Sequence, residues 1–431
     1  MRNTARLALL LSAVLLAGAC SGNNPVPPQL VQVGWSWNPA LAGTEPLPVT
    51  WVSGVPQQLP VLPATGCTPS GSAHAVVDTG GAPLVAGVAM DCAAGVPVMT
   101  PVTWQDGAVT ALPLAPATSQ GSALAVAWSD GASFVAGATG DAYPFPSIWK
   151  NGALMTPHPE TLLPPWCDSG IVTSLVVTTR YAIASGIVHV TSSTPPSYQA
   201  IVWVLDPDFT SVQYGLLQPP VTMAGTAGGS VSSTFDGLNV YSAAPVSLDG
   251  NDKPMFWLNE VPYPIAGESF ATGPWGVPTG IALVDTTPYV TGYVQVASPT
   301  GPPQPVVWTP SASMSLSTAD SRGVGSGEGV IVSTMWAFVT GESLGPDPAN
   351  GQRSLSLAAL WMNGERYDLP GLAAPGSGPL LASPLHAWWK VPGTTPAADW
   401  PLPGGYGAVI GRAPVSAAGS AVARAVTAVV P

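Results

Sequence analysis

The sequence predicts an all-β fold of propeller type, and three observations predict it. A short strand ending in tryptophan returns about every fifty residues. A tight glycine turn and another short strand follow several of these tryptophans. The composition suits many short strands: of 431 residues, 48 are Gly and 50 are Pro, yet 46% are hydrophobic and only 8% charged. Gly and Pro supply turns, while 16 Trp and runs of Val and Ala supply a packed interior. Disorder through excess charge is excluded by the same figures.

The repeat is read most directly in two segments. Residues 71–87 read GSAHAVVDTGGAPLVAG and residues 121–137 read GSALAVAWSDGASFVAG, with ten of seventeen positions identical and no gap. PVTW occurs at Pro48 to Trp51 and again at Pro101 to Trp104. The tryptophan ladder is Trp51, Trp104, Trp149, Trp203, Trp257, Trp308 and Trp361. Asp106-Gly107, Asn151-Gly152 and Asn363-Gly364 suit two-residue hairpins, which need positive φ at both central residues.

Each unit therefore divides into four strands. The first is small and apolar (Ala73 to Val77, Ala123 to Ala127). The second is expected to end in glycine (Leu84 to Gly87, Phe134 to Gly137), with weaker copies at Tyr181 to Gly186, Tyr289 to Gly292 and Ala337 to Gly341. The third ends in the tryptophan, and the fourth follows the turn and closes on Leu59-Pro60, Leu112-Pro113 or Leu369-Pro370. Four-stranded units of about 50 residues fit propeller blades. Small first strands suit the crowded axis, and the indoles suit the gaps between blades.

Six full units fit between Gly71 and Pro370. Val31 to Trp37, Trp51, and Gln57 to Leu62 read as strands two to four of a seventh, and the chain from Leu380 can supply its missing first strand. Closing seven blades with both chain ends in one blade removes an exposed sheet edge. Trp400 and the run Tyr406 to Gly411 leave room for an eighth blade, and a pair of stacked β-sandwiches is the competing architecture. The pattern S-x-A-x-A, V-x-G, W-x-x-G, L resembles the extracellular HAF repeats of bacteria and, more loosely, kelch-type propellers. The resemblance runs from about Leu30 through most of the chain and fades between Leu205 and Ala266.

The first residues predict the compartment. Arg2 and Arg6 precede an apolar run, Leu7 to Leu16, that is too short to span a bilayer. Ala17, Gly18 and Ala19 then precede Cys20, which resembles the lipobox of bacterial lipoproteins with Cys20 as the acylated residue. Residues 1–19 are then a leader, 20–29 a lipidated tether and 30–431 the propeller. Ser21 after the cysteine favours the outer membrane. The expected partners are the membrane, through the anchor, and an envelope protein or polysaccharide. The formal charge of −12, deepened by loss of the two arginines, argues against nucleic acid. The chain is expected to be a monomer.

Of the other cysteines, Cys67 precedes a first strand and Cys92 follows the next second strand, two loops that emerge on one face of a meander. A Cys67–Cys92 disulfide is expected there, closing a loop of about 25 residues and contributing roughly 3 kcal/mol. Cys167 lacks a matching partner and reads as a buried thiol.

No catalytic constellation is legible. His74 reads as a hydrogen-bonded histidine of a first strand, His158 as a loop residue, His189 as an alternating strand position and His386 as part of an aromatic group with Trp388 and Trp389. There is no H-E-x-x-H, no nucleophile elbow and no arginine cluster, and GVGSGEG around Gly325 reads as a loop leading into a blade. No cofactor or metal is expected, and the chain is expected not to be an enzyme. SLDGNDK, with Asp249 and Asp252, lacks the order of a calcium loop and reads as a solvated turn. Asp91, Asp141, Asp168, Asp249, Asp252 and Glu342 share one face of the ring and form the candidate binding rim. Propellers bind at such rims, so a binding or scaffolding module is the leading expectation, by analogy of fold. A glycan lyase or hydrolase is the second reading and requires paired carboxylates or a His–Tyr pair meeting over the funnel. A purely structural envelope component is the third.

Overall fold

A computed structural model describes residues 29–36, 46–63, 67–91, 97–141, 143–156, 162–193, 197–206, 208–209, 211–219, 226–227, 231–248, 251–265, 275–295, 302–318, 324–332, 337–346, 354–369 and 382–390. Strands in this chain are short because glycine and proline interrupt them, and each pairs with its sequence neighbour. Seven antiparallel sheets result. From the axis outward, blade 1 is Ala382–Lys390, Gln29–Ser36, Leu47–Val52 and Val55–Gln58. Blade 2 is Gly71–Val77, Leu84–Asp91, Val98–Gln105 and Ala108–Ala111. Blade 3 is Gly121–Ser129, Ala132–Thr139, Phe145–Lys150 and Ala153–Leu154, and blade 4 is Cys167–Val177, Ala182–Val190, Ser197–Leu205 and Val212–Leu216. Blade 5 has Val240–Leu248, Asn251–Leu258 and Val261–Pro264, its inner position shared by Thr226–Ala227 and Ser232–Phe235. Blade 6 is Trp275–Val284, Thr287–Gln295, Pro303–Trp308 and Ser313–Ser315, and blade 7 is Gly325–Val332, Ala337–Pro346, Ser354–Met362 and Glu365–Asp368.

The fold is thus a seven-bladed propeller, with no helix among the described residues. The ring closes as expected: Ala382–Lys390 pairs antiparallel with Gln29–Ser36, from Gln29 opposite Lys390 to Ser36 opposite Ala382. Trp400 and the segment from Tyr406 to Gly411 lie outside the described residues, as do Cys20, His158 and Asp249. GVGSGEG is not a loop: Gly325 opens the inner strand of blade 7.

The core lies in the gaps between blades. All seven ladder tryptophans sit on third strands with at most 1% of their surface exposed. Between blades 2 and 3, for example, Trp149 packs with Ala75, Leu84 and Ala86 of one and Ala123, Val126 and Val135 of the other. Burying such a side chain contributes roughly 3 kcal/mol. The indole N–H is also used. It donates from Trp104 to the Pro60 carbonyl at 2.7 Å, from Trp149 to Pro113 at 2.8 Å, from Trp203 to Leu162 at 2.7 Å, from Trp257 to Gln218 at 2.9 Å and from Trp361 to Ser317 at 2.6 Å. Each acceptor lies in the segment that leaves the preceding blade, so every such bond ties one sheet to the next.

In blades 1, 2, 3, 5 and 7 the hairpin between third and fourth strands has positive φ at both central residues, as at Asp106 (51°) and Gly107 (74°) or Asn363 (51°) and Gly364 (88°). Asparagine at the first position also accepts a hydrogen bond from the start of the second strand: Ser133 N–H to Asn151 Oδ1, Val240 to Asn259 and Ala337 to Asn363, each 2.9 Å.

The glycine of the V-x-G pattern does not end the second strand, which runs on to Asp91 in blade 2 and Thr139 in blade 3. Its role is to face a bulge. The inner strand carries one unpaired residue at His74, Leu124, Thr173, Thr279 and Glu328. The bulge presses a carbonyl toward the second strand, where a Cβ on Gly87 would lie 2.2 Å from Ser72 O and one on Gly137 1.9 Å from Ser122 O. In blade 5 the equivalent residue, two after the partner of Trp257, is Ala244. Opposite this second strand the described inner-strand pieces are Thr226–Ala227 and Ser232–Phe235. Bulge residues also bridge blades: the Thr173 hydroxyl donates to Val231 O at 2.7 Å, from blade 4 to blade 5.

Candidate functional site

Connections from second to third strands, and from one blade to the next, emerge on one face of the ring. The predicted rim residues other than Asp249, which lies outside the described residues, stand at that face. Asp91 ends the second strand of blade 2, Asp141 lies two residues past that of blade 3, Asp168 is second on the inner strand of blade 4, Asp252 is second on the third strand of blade 5, and Glu342 pairs with Ser326 near the start of the inner strand of blade 7. They are spread over five blades, and Asp91, Asp168, Asp252 and Glu342 stand on strands rather than in the expected loops, because the strands run further toward this face than the sequence pattern indicates. At blades 3 and 4 several polar and aromatic groups converge.

Blade 4 is built differently at this face. Inner strands of blades 2, 3 and 7 begin at the glycines Gly71, Gly121 and Gly325, whereas that of blade 4 begins three residues before Gly170. The extension contains a second bulge, between Cys167 and Ser169, which leaves Asp168 without a cross-strand partner. Its carboxylate Oδ1 is 2.7 Å from His189 Nδ1 and accepts the Ser169 hydroxyl at 3.1 Å. His189 stands opposite Tyr198 on the third strand, their ring centroids 4.9 Å apart and tilted by 44°. Asp168, His189 and Tyr198 therefore form a line from the axis outward across three strands. The side chains of Asp168 and His189 are 40% and 22% exposed, so the pair is open to a ligand.

The neighbouring blade adds a ring. A turn at Gly140, with φ of 132°, leads to Tyr143, whose side is 61% exposed. The following Pro144 carbonyl accepts the Gly170 N–H at 2.8 Å, which seats this loop against blade 4. Asp141, in the same loop, accepts the Ser119 hydroxyl at 2.7 Å. Burial, then the charges of Asp168 and Tyr143, hold the Tyr198 phenol above its ordinary range, so it stays protonated and can donate.

A carboxylate on Nδ1 fixes the orientation of His189 and leaves Nε2 directed away from Asp168. Cys167 is a free thiol, half-buried; burial and then Asp168 push it up to about 12, so it is neither thiolate nor nucleophile at neutral pH. No group of three metal-ligating side chains occurs among the described residues. Cys67 is disulfide-bonded, and Cys92, its expected partner, lies outside the described residues. His74 is hydrogen-bonded within the inner strand of blade 2, Nε2 to Ser72 Oγ at 2.9 Å, as expected, and its Nδ1 is buried without a partner. His189, Tyr198 and Tyr143 are the site residues that sequence reasoning missed. The signal for them was the length of strand-forming sequence ahead of Gly170.

No known protein family matches the sequence, and no curated protein does. Among solved structures, the chain is similar to an acylaminoacyl peptidase in complex with Z-Gly-Gly-Phe-chloromethyl ketone, at 11% identity and TM-score 0.37, over 74% of this chain and 51% of that one. It is similar to the acylaminoacyl peptidase of Pyrococcus horikoshii at 9% identity and TM-score 0.31, over 69% of this chain and 52% of that one. It thus spans about half the length of these two peptidases. A GH32 β-fructofuranosidase variant of Bombyx mori in complex with sucrose matches at 9% identity and TM-score 0.30, over 89% of this chain and 96% of that one. The expectation that the chain is not an enzyme is corrected here. These similar structures are enzymes, and a chain without a legible catalytic motif is not thereby inactive. Nothing of their chemistry carries over at such identities.

Proposed function

We propose that the protein is an exported, lipid-anchored propeller that binds an envelope component at the rim of blades 3 and 4. The observation that carries the reading is the line Asp168, His189, Tyr198, built on an extension that blades 2, 3 and 7 lack. Residues 1–19 act as the leader and Cys20 carries the lipid, which tethers a monomer to the outer membrane and limits its partners to envelope polysaccharide or protein. An acidic chain excludes nucleic acid as the partner. Two experiments test this. Cys20→Ala moves the protein from membrane to soluble fractions; continued membrane association rejects the anchor. Immobilised protein retains envelope material, and Tyr198→Ala abolishes retention; retention unchanged by that substitution rejects the rim.

The carboxylate-oriented histidine favours a second reading, a glycan-active hydrolase or lyase, because Nε2 is placed to move a proton. Turnover on a panel of envelope glycans, lost in His189→Ala, is the result that selects it.

A further inference from the structure

We infer that the rim of blades 3 and 4 takes an uncharged pyranose of a glycan, stacked on Tyr143 and hydrogen-bonded through its hydroxyls to Asp168 and His189. The inference rests on the proposed rim site and names the class of ligand it accepts.

Asp168 Oδ1 already receives His189 and Ser169, which leaves the second carboxylate oxygen for a ligand donor. With Nδ1 engaged, His189 Nε2 is the ring atom left to meet a ligand. Asp141 adds an exposed carboxylate one blade away. These groups lie on three separate elements, matched to a ligand with several spaced hydroxyls. Carboxylates at the site repel uronates and phosphates. The same carboxylates attract a cation, and one aromatic face suffices to hold it, so a cationic sugar is the competing ligand that the test sets against a neutral one. Here Tyr198 is packed against His189 at 4.9 Å, and Tyr143 presents the free face. One free aromatic face beside spaced acceptors is a platform for the C–H side of a sugar ring, with its hydroxyl edge turned to the acceptors.

The test is isothermal titration of the full mature chain with cellohexaose and hexa-N-acetylchitohexaose (neutral), hexagalacturonate (anionic) and a chitosan hexamer (cationic). A neutral hexamer binds, and hexagalacturonate does not. Tyr143→Ala weakens binding about ten-fold, and so does Asp168→Asn. Tyr143 is exposed, so its removal leaves the fold intact. Tyr181→Ala, an exposed tyrosine on the opposite face at the turn between inner and second strands of blade 4, leaves binding unchanged. The inference is overturned if neither neutral hexamer binds, if hexagalacturonate or chitosan binds as tightly, or if Tyr143→Ala has no effect. If it is overturned while Tyr198→Ala still abolishes retention of envelope material, the rim stands and only the ligand class falls.

Discussion

His74 makes the propeller acid-labile in a way that one substitution removes. It is the bulge residue of the inner strand of blade 2, 3% exposed, with Nε2 on Ser72 and Nδ1 unpaired. Burial lowers its pKa from 6.5 to about 4. Above pH 6.5 the ring is neutral folded and unfolded, and it adds no pH dependence. As pH falls below 6.5 the unfolded chain takes up the proton and the folded chain resists it, so stability is lost until pH 4, where the folded ring also titrates. At about 1.4 kcal/mol per pH unit of mismatch, the loss is about 2 kcal/mol at pH 5 and about 3 kcal/mol at pH 4. Blade 3 carries leucine at the same bulge, Leu124, 6% exposed. His74→Leu therefore suits the site sterically; it frees the Ser72 hydroxyl but removes the unpaired nitrogen, and at pH 7.5 stability changes by less than about 1 kcal/mol. Urea denaturation of both proteins at pH 7.5 and 4.5 measures the difference of differences, which cancels the carboxylates common to both. Wild type loses about 2–3 kcal/mol more than the variant on acidification. Equal losses would refute the assignment of a buried, neutral His74.

Four further outcomes follow from the same packing. Trp104→Phe keeps a ring in the gap but leaves Pro60 O without its donor, lowering stability by about 2 kcal/mol in urea, less than the 3–5 kcal/mol of Trp104→Ala. Gly87→Ala sets a methyl 2.2 Å from Ser72 O, and it lowers the urea midpoint by the equivalent of about 3 kcal/mol. Glu260, at φ 68° in a turn where Gly54, Gly107, Gly152 and Gly364 are the counterparts, pays for a left-handed backbone; Glu260→Gly raises the melting temperature, by an equivalent of about 0.5–1 kcal/mol. Non-reducing peptide mapping finds Cys67 joined to Cys92, and Cys67→Ala lowers stability by about 3 kcal/mol; a Cys67–Cys20 peptide would exclude both the bridge and the lipid on Cys20.

The blades were legible because their markers are local. A tryptophan, a two-residue turn and a Leu-Pro pair each report on a few neighbouring residues, and repetition multiplies the signal. What joins those markers was not legible. Trp104 and Pro60 are far apart in sequence, and only the ring shows that the indole of one blade closes on the carbonyl leaving the previous blade. The V-x-G glycine was read as a strand end because glycine is rare in strand interiors, whereas steric contact with a bulge on another strand requires it. Resemblance to the repeat fades over blade 5, where Ala244 replaces that glycine. At the site, Asp168 was named for standing near a loop. His189 and Tyr198 join it only through antiparallel register plus one unpaired residue, and a one-residue slip would turn these side chains to the other face.

Closure of blade 1 has a consequence for biogenesis. Gln29–Ser36 must wait for Ala382–Lys390, a partner made after all the other blades, before its inner edge is covered. Until then a nascent chain offers that edge to any passing strand, so domain exchange or chaperone capture is the characteristic hazard of this topology. Translation stalled before the Ala382–Lys390 strand yields molecules with six complete sheets and one adhesive flank, the point at which a protease or a second copy first engages them.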